Sequence, residues 1–444
     1  MIKQRSVLRP RAGYAIVLAC ALAVPAMTAR AQETLTLEGA LSMARTRQPA
    51  VRRARAQTQV MAARASQAEA PLYPQVEASA TYQRTTANFT PRPGATPSSL
   101  TADADPSFDL YDYFDFGVTA RQLVYDFGYS YKRADAADAA EQAEEHSERA
   151  SLSQIEERVR VSFFEARAAN ALLAVAREAL ENYERHFQQI EGFVRAGTRA
   201  DIDLAQARTD RANGRVALIN AENAYITGKA RLNNAIGIAG GTDYEIANDS
   251  LPPIEGEDGE LEALVGRAVA NRSELAALER LVRSQELARG AERGGHWPSL
   301  SVFTGVTEAG VQLDDMTWNW NAGVSLVWPL FQGGAVSARI DEASATLVAL
   351  RADLEGARQQ VRLEVEQARL AVRAAKAVIE ASDEAIVSAR EQLRLAEGRY
   401  QAGVGSGLEL SDAQLAMQNA AAQRIQAEYN LATARAGMLR ALGR

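Results

Sequence analysis

Cysteine is almost absent from this chain, histidine is scarce, and no apolar run beyond the amino terminus is long enough for a membrane helix. The single cysteine, Cys20, leaves no disulfide within the chain. The three histidines, His146, His186 and His296, stand far apart with no carboxylate or cysteine at ligand spacing, so no metal site is expected. There is no phosphate-cradling GxxxxGK loop, GxSxG elbow or dinucleotide fingerprint, and the glutamates are scattered along helical stretches as solvated faces would be. An enzyme is the least supported class, and no cofactor is expected. Beyond the start of the chain nothing reaches the roughly 20 apolar residues of a spanning helix, so any membrane span has to be made of strands.

What is present begins with a leader. Lys3, Arg5, Arg9 and Arg11 precede an apolar run from Ala12 to Met27, and small Ala29 and Ala31 follow at alternate positions. This is the pattern of a secretory signal peptide at residues 1–31, with the mature chain starting at Gln32. A competing reading makes Val17-Leu18-Ala19-Cys20 a lipoprotein signal with Cys20 acylated, at the cost of halving the apolar segment such signals need. The leader carries five cations and no acid, so its loss takes the formal charge from −7 to −12, which disfavours nucleic acid as a partner.

The chain is written twice. The stretch from Leu37 aligns with that from Leu261, and Tyr73-Pro74 with Trp297-Pro298, 224 residues apart. Gly117-Val118-Thr119 matches Gly323-Val324-Ser325, and AGTRADIDLAQA from Ala196 matches AGVGSGLELSDA from Ala402, 206 apart. The single change of 18 residues falls between two strand candidates, so one loop is longer in the first copy. Each copy reads as helix, strand, loop, strand, very long helix, tight turn and returning helix. The expected division is a first repeat at 32–240, a linker at 241–260 and a second repeat at 261–444.

The strand candidates alternate. Val76, Ala78, Ala80 and Tyr82 oppose Gln75, Glu77, Ser79, Thr81 and Gln83; Phe116, Val118, Ala120 and Val124 oppose Thr119 and Arg121. Trp320, Ala322, Val324, Leu326 and Trp328 oppose Asn319, Asn321 and Ser325, with Leu300, Val302 and Val306 a weaker fourth case. Each supplies about 9 to 11 residues, enough for a tilted barrel strand. Tyr73, Trp297, Trp318, Trp320 and Trp328 are placed as aromatics at membrane interfaces would be. Four strands cannot close a barrel and open edges are not tolerated in lipid, so the chain has to oligomerise to make a pore.

Between Tyr131 and Glu191 there is neither proline nor glycine, and between Ala338 and Glu397 only Gly356, which predicts two rods of roughly 100 Å. In the first, Ala169, Leu173, Ala176, Leu180, Tyr183, Phe187, Ile190 and Val194 form a heptad seam. The returning helices, Asp201 to about Ile236 and Leu408 to about Leu442, cover little more than half a rod. Helical stretches near 50–70 and 272–293 make up the difference, so short helices are expected to stack end to end beside the long one.

This pattern resembles the TolC-like outer membrane factors, and the likeness covers nearly the whole mature chain. The resemblance implies a mainly α fold with a transmembrane β part. Long antiparallel coiled-coil helices would form an α-barrel, and four strands per protomer would enter a homotrimeric twelve-stranded β-barrel in outer-membrane lipid. It further implies an exit duct reaching into the periplasm of a Gram-negative cell, served by a periplasmic adaptor and an inner-membrane pump of the RND, ABC or MFS type. The turns Ala196-Gly197-Thr198-Arg199 and Ala402-Gly403-Val404-Gly405 are similar to the family's periplasmic tip, so Gly197, Thr198, Gly403, Val404 and Gly405 would meet the adaptor. Glu409 and Asp412, with Asp203 equivalent to Glu409, stand where the family places constricting acidic rings, and Arg199 is the nearby cation. The plainer reading of Asp201, Asp203, Glu409 and Asp412 is helix capping and the helix dipole, and Asp201 is expected to act mainly as a cap. Gly405 departs from the basic residue the family often carries there. Two rival readings are a periplasmic adaptor, which has one hairpin rather than two, and a structural periplasmic coiled coil, which leaves the aromatic-flanked strands unexplained.

Overall fold

The computed structural model describes residues 34–86 and 108–444. The leader reading, with Cys20, and most of the long loop of the first copy lie outside the described residues. Strand β1 (Thr34–Leu35) leads into α1 (Leu37–Arg47) and α2 (Pro49–Glu69), then β2 (Gln75–Thr85), β3 (Tyr111–Tyr125), α3 (Tyr129–Arg195) and α4 (Asp201–Ile236). The second copy follows: β4 (Glu245–Ile246), α5 (Leu261–Asn271), α6 (Ser273–Gly294), β5 (Ser299–Gly310), β6 (Thr317–Val327), α7 (Ala335–Gln401) and α8 (Gly407–Ala441). No described helix is long and apolar enough to cross a membrane.

The two rods, α3 and α7, have 67 residues each, about 100 Å at 1.5 Å per residue. α3 packs along α2 and α4 and along α6 and α8, while α7 packs along α6 and α8. The columns therefore run in the order α2 with α4, α3, α6 with α8, then α7. Every member of the heptad seam on α3 is buried or half-buried, with Leu173 and Ile190 fully enclosed. The shorter helices do stack end to end. Pro49, at the first position of α2, separates it from α1, and Gln48 donates its side-chain Nε2 to the terminal carbonyls of α4 at Asn234 (3.1 Å) and Ala235 (2.7 Å). In the second copy Arg272 takes the same place, its Nε donating to Ala441 O of α8 at 3.0 Å. These side chains satisfy helix-end carbonyls that the joint would otherwise bury without partners.

The joint also demands a glycine. Gly237 closes α4 at φ +84°, and a Cβ there would stand 2.7 Å from Gln48 Cα. Gly237→Ala is expected to cost about 2 to 3 kcal/mol through left-handed strain and displacement of α2, read as a lowered melting temperature of the folded protein.

A second layer sits at mid-height. Strand β1 pairs in parallel with β4, and Leu37 N donates to Asp249 Oδ2 at 2.8 Å. Ala40, Leu41 and Ala44 of α1 join Val159, Phe163, Leu232 and Ile246 in one core cluster, and Leu264, Ala268 and Leu275 join Val361, Val365 and Met438 in its repeat. The segment expected as a linker thus carries a strand and packs firmly. Within it Glu257, with a side chain only 4% exposed, holds Arg435 at 2.9 Å and Lys376 at 2.7 Å and accepts from Ile254 N. Burial works to raise this carboxyl's pKa, but the hydrogen bonds from Arg435, Lys376 and Ile254 outweigh it and hold it at about 2. The stabilisation is fully present above pH 4.5 and is lost as pH falls towards 2. Glu257→Gln should lower stability at neutral pH by about 3 kcal/mol and flatten the acid limb of a pH-stability profile.

The four long strands form one antiparallel sheet in the order β2-β3-β5-β6. Its register aligns Ala78, Val118, Val306 and Trp320 in one row, and Val76, Ala120, Thr304 and Ala322 in another. Directly opposed residues share a face, so most apolar residues of the four strands fall on one side, with Glu308 among them between Phe116 and Trp318, and Glu77, Ser79, Thr119, Thr307, Asn319 and Asn321 fall on the other with Phe303 and Leu123. One strand adds a residue to the alternation. The register shifts between Leu123 and Tyr125, which sets Tyr125 opposite Leu300 and leaves Val124 as the extra residue. Tyr125 therefore joins Val124 on the apolar face at this bulge, both residues being exposed.

Candidate functional site

At each strand-to-helix corner the backbone turns through left-handed conformations: Phe127 (φ 54°) and Gly128 (φ 78°) before α3, Gly333 (φ 61°) and Gly334 (φ 82°) before α7. Phe127, which lacks glycine's freedom, is held by its ring, stacked on Trp297 at 5.2 Å and tilted against Tyr125 at 4.9 Å. Tyr73 is exposed beside this corner, and Trp328 Nε1 donates to His296 O at 3.1 Å across the same end of the sheet. Trp318 and Trp320 lie towards the opposite end, in the rows of Phe116 and Val118, with Trp320 Nε1 bonded to Thr304 Oγ1 at 3.1 Å. The five predicted aromatics thus form two bands, one at each end of the apolar face.

At the far end of the rods the two turns share one backbone. Gly197 (φ 74°) donates to Val194 O and Thr198 N to Phe193 O; Gly403 (φ 75°) donates to Tyr400 O and Val404 N to Arg399 O. These bonds satisfy the last carbonyls of α3 and α7, and glycine at the left-handed position makes the turn inexpensive. Beyond the backbone the turns diverge. Thr198 Oγ1 donates again to Phe193 O at 2.9 Å, whereas Val404 is exposed. Gly405 is buried with its amide on Arg399 O, and a Cβ there would stand 2.9 Å from Tyr400 N, so no basic side chain fits.

The equivalent position in the first turn is Arg199, which folds inward. Its guanidinium lies 4.8 Å over the Tyr400 ring and 3.9 Å from Asp203. Tyr400 is 4% exposed and meets the edge of His186 at 5.4 Å. Burial pushes the His186 pKa down, so this imidazole is neutral at pH 7. Ile190, Ala207, Ala396, Leu410 and Ala413 close the apolar core joining the two hairpins here, and Ser411 Oγ donates to Asp210 at 3.0 Å between α8 and α4. Glu409 pairs with Arg399 of the neighbouring rod at 3.0 Å. Asp412, one turn further on, is exposed and carries no ion pair among the described residues.

The capping expectation for Asp201 does not hold. Ala200 is the N-cap of α4 with no side-chain bond, and Asp201 is already helical, so only the helix dipole acts on it. In α8 the cap is Ser406, which accepts from Glu409 N at 3.1 Å. Arg399 and Tyr400 were not foreseen. Arg399 aligns with Phe193 in the first repeat, so comparison of the halves conceals it; its place six residues before Gly405 is the only local signal.

Residues 40–238 and 264–444 match the outer membrane efflux protein family. The outer membrane protein TolC of Escherichia coli (strain K12) is 28% identical over 177 residues, 36% of this chain and 36% of that protein. The cation efflux system protein CusC of the same strain is 24% identical over 279 residues, 60% of this chain and 59% of CusC. The chain thus aligns with about one third to three fifths of the length of these relatives. The fold matches over much more: a crystal structure of CusC superposes with a TM-score of 0.78 at 21% identity, covering 92% of each chain. The outer membrane channel CmeC of Campylobacter jejuni superposes at 0.80 and 17% identity, covering 92% of this chain and 85% of CmeC. With two matched segments that take in both repeats, the chain belongs to the outer membrane efflux protein family.

Proposed function

We propose that three copies of this chain form the exit duct of a tripartite efflux or type I secretion system, a passive channel from the periplasm through the outer membrane. The observation that carries this reading is a four-stranded sheet with one largely apolar face, whose edges β2 and β6 are unpaired among the described residues, set on rods of about 100 Å. Open edges are not tolerated in lipid, so β2 of one copy pairs with β6 of the next. Three copies then give the twelve strands implied by the family likeness. The side columns favour the same closure: Val216, Ile219 and Ile226 on α4 and Leu363, Leu370 and Val378 on α7 are exposed in one copy and would be covered by its neighbours.

In this arrangement Tyr73, Trp297 and Trp328 sit at the periplasmic interface, and Trp318 and Trp320 near the outer one. Asp203, Glu409 and Asp412 narrow the tip, with Arg199 the cation of Asp203 and Arg399 that of Glu409. The turns at Gly197, Thr198, Gly403, Val404 and Gly405 receive the periplasmic adaptor, and an inner-membrane pump supplies energy. The two repeats, 32–240 and 261–444, each contribute half of the copy's wall, joined through 241–260. Conductance in planar bilayers tests this: purified protein should give discrete, cation-preferring channels, and an absence of channels from detergent-extracted oligomers would refute it.

A further inference from the structure

We propose that Arg53, Arg158 and Arg440 form an anion-binding belt on the inner face of the duct, taking small cargo that bears phosphate, sulfate or carboxylate groups; this rests on the channel reading. The three arginines line one groove of about 870 Å³ between α2, α3 and the end of α8, with Gln57 and Gln154 beside them. Arg53 and Arg158 are exposed and carry no carboxylate partner among the described residues. Arg440 Nη1 is 3.4 Å from Glu157, while its Nε is buried without a hydrogen bond. The groove therefore holds three cations against one acid.

The second repeat supplies an internal comparison. A groove of about 410 Å³ between α7 and α8 shares the equivalent face of the rod, with Gln360 and Glu364 in the places of Gln154 and Arg158, and is lined also by Arg272 and again by Arg440. The counterpart of Arg158 is Glu364, and Arg272 neutralises it at 2.6 Å. The excess is two positive charges in the first groove and one in the second, where Arg272 is tied to Glu364, so the larger excess is not imposed by the shared fold.

The groove faces the bore. Arg45 of α1 reaches α3 at Glu156, beside Arg160, whereas Gln154, Arg158 and Val161 lie roughly 150° around the helix from that pair. The α1 layer has to stand outside for a bore to remain open, so the opposite side of α3 lines it. Threefold assembly then sets three such grooves around one cross-section, and water-filled narrow passages strengthen charge effects relative to bulk solvent. Arginine suits the task because its planar fork meets an oxyanion through two parallel hydrogen bonds.

Channel block by inorganic pyrophosphate tests the belt, in bilayers at about 0.1 M salt where screening extends only about 10 Å. Pyrophosphate should block the unaltered channel, and Arg53→Gln with Arg158→Gln should weaken block roughly tenfold and shift the reversal potential in a salt gradient towards cations. Lysine at both positions should restore most of the block. Equal block of unaltered and Gln-substituted channels, or none of the unaltered one, would overturn the belt while leaving the channel reading intact. Protein that never conducts would overturn both.

Discussion

Val324→Arg should abolish membrane insertion, while Ser325→Arg, one residue along the same strand, should leave it largely intact. Val324 is 67% exposed on the face it shares with Val302, Ala322 and Leu326. A cation near the bilayer midplane on a barrel's lipid face costs about 2 to 4 kcal/mol, and assembly applies that cost once per copy. Ser325 points to the other face, in the row of Ser301, where an arginine would stay in water. The readout is the yield of heat-resistant oligomer in extracted membranes. Equal yields from the two variants would mean that the faces are assigned wrongly.

Glu409→Ala with Asp412→Ala should raise single-channel conductance severalfold and weaken cation preference. The Arg399–Glu409 pair is about half exposed on both sides, so solvent screening limits it to about 0.2 to 1 kcal/mol. In the proposed trimer three such pairs supply about 0.6 to 3 kcal/mol, a shift of roughly three- to 140-fold between closed and open tips. Under the proposed function such a pair would bias a gate rather than lock it. The exchange Arg399→Glu with Glu409→Arg should return conductance towards its original value. Unchanged conductance and selectivity in the alanine variant would remove these carboxylates from the tip constriction.

The parts legible in the sequence were those with long, regular signals. The bounds of α4, Asp201 to Ile236, follow from glycine and charge placement at its ends, and the alternation in β2 and β6 names their apolar faces without ambiguity. End-to-end stacking followed from length alone, because two short helices sum to one rod. The second layer was not legible: β1 and β4 contribute two residues each and meet across more than two hundred positions, which no local periodicity marks. The bulge that brings Tyr125 opposite Leu300 is likewise a property of register, not of β3 itself. At the tip the repeat helped and misled together. It paired Asp203 with Glu409, yet by aligning Arg199 with Gly405 and Phe193 with Arg399 it concealed that the two hairpins use different cations to hold equivalent acids.

Single-particle imaging of the detergent-extracted protein tests the central claim most directly. A threefold particle with a short barrel continued by a tube of about 100 Å is the predicted result. A soluble monomer, or a sixfold ring with no barrel, would contradict it and favour a periplasmic adaptor instead.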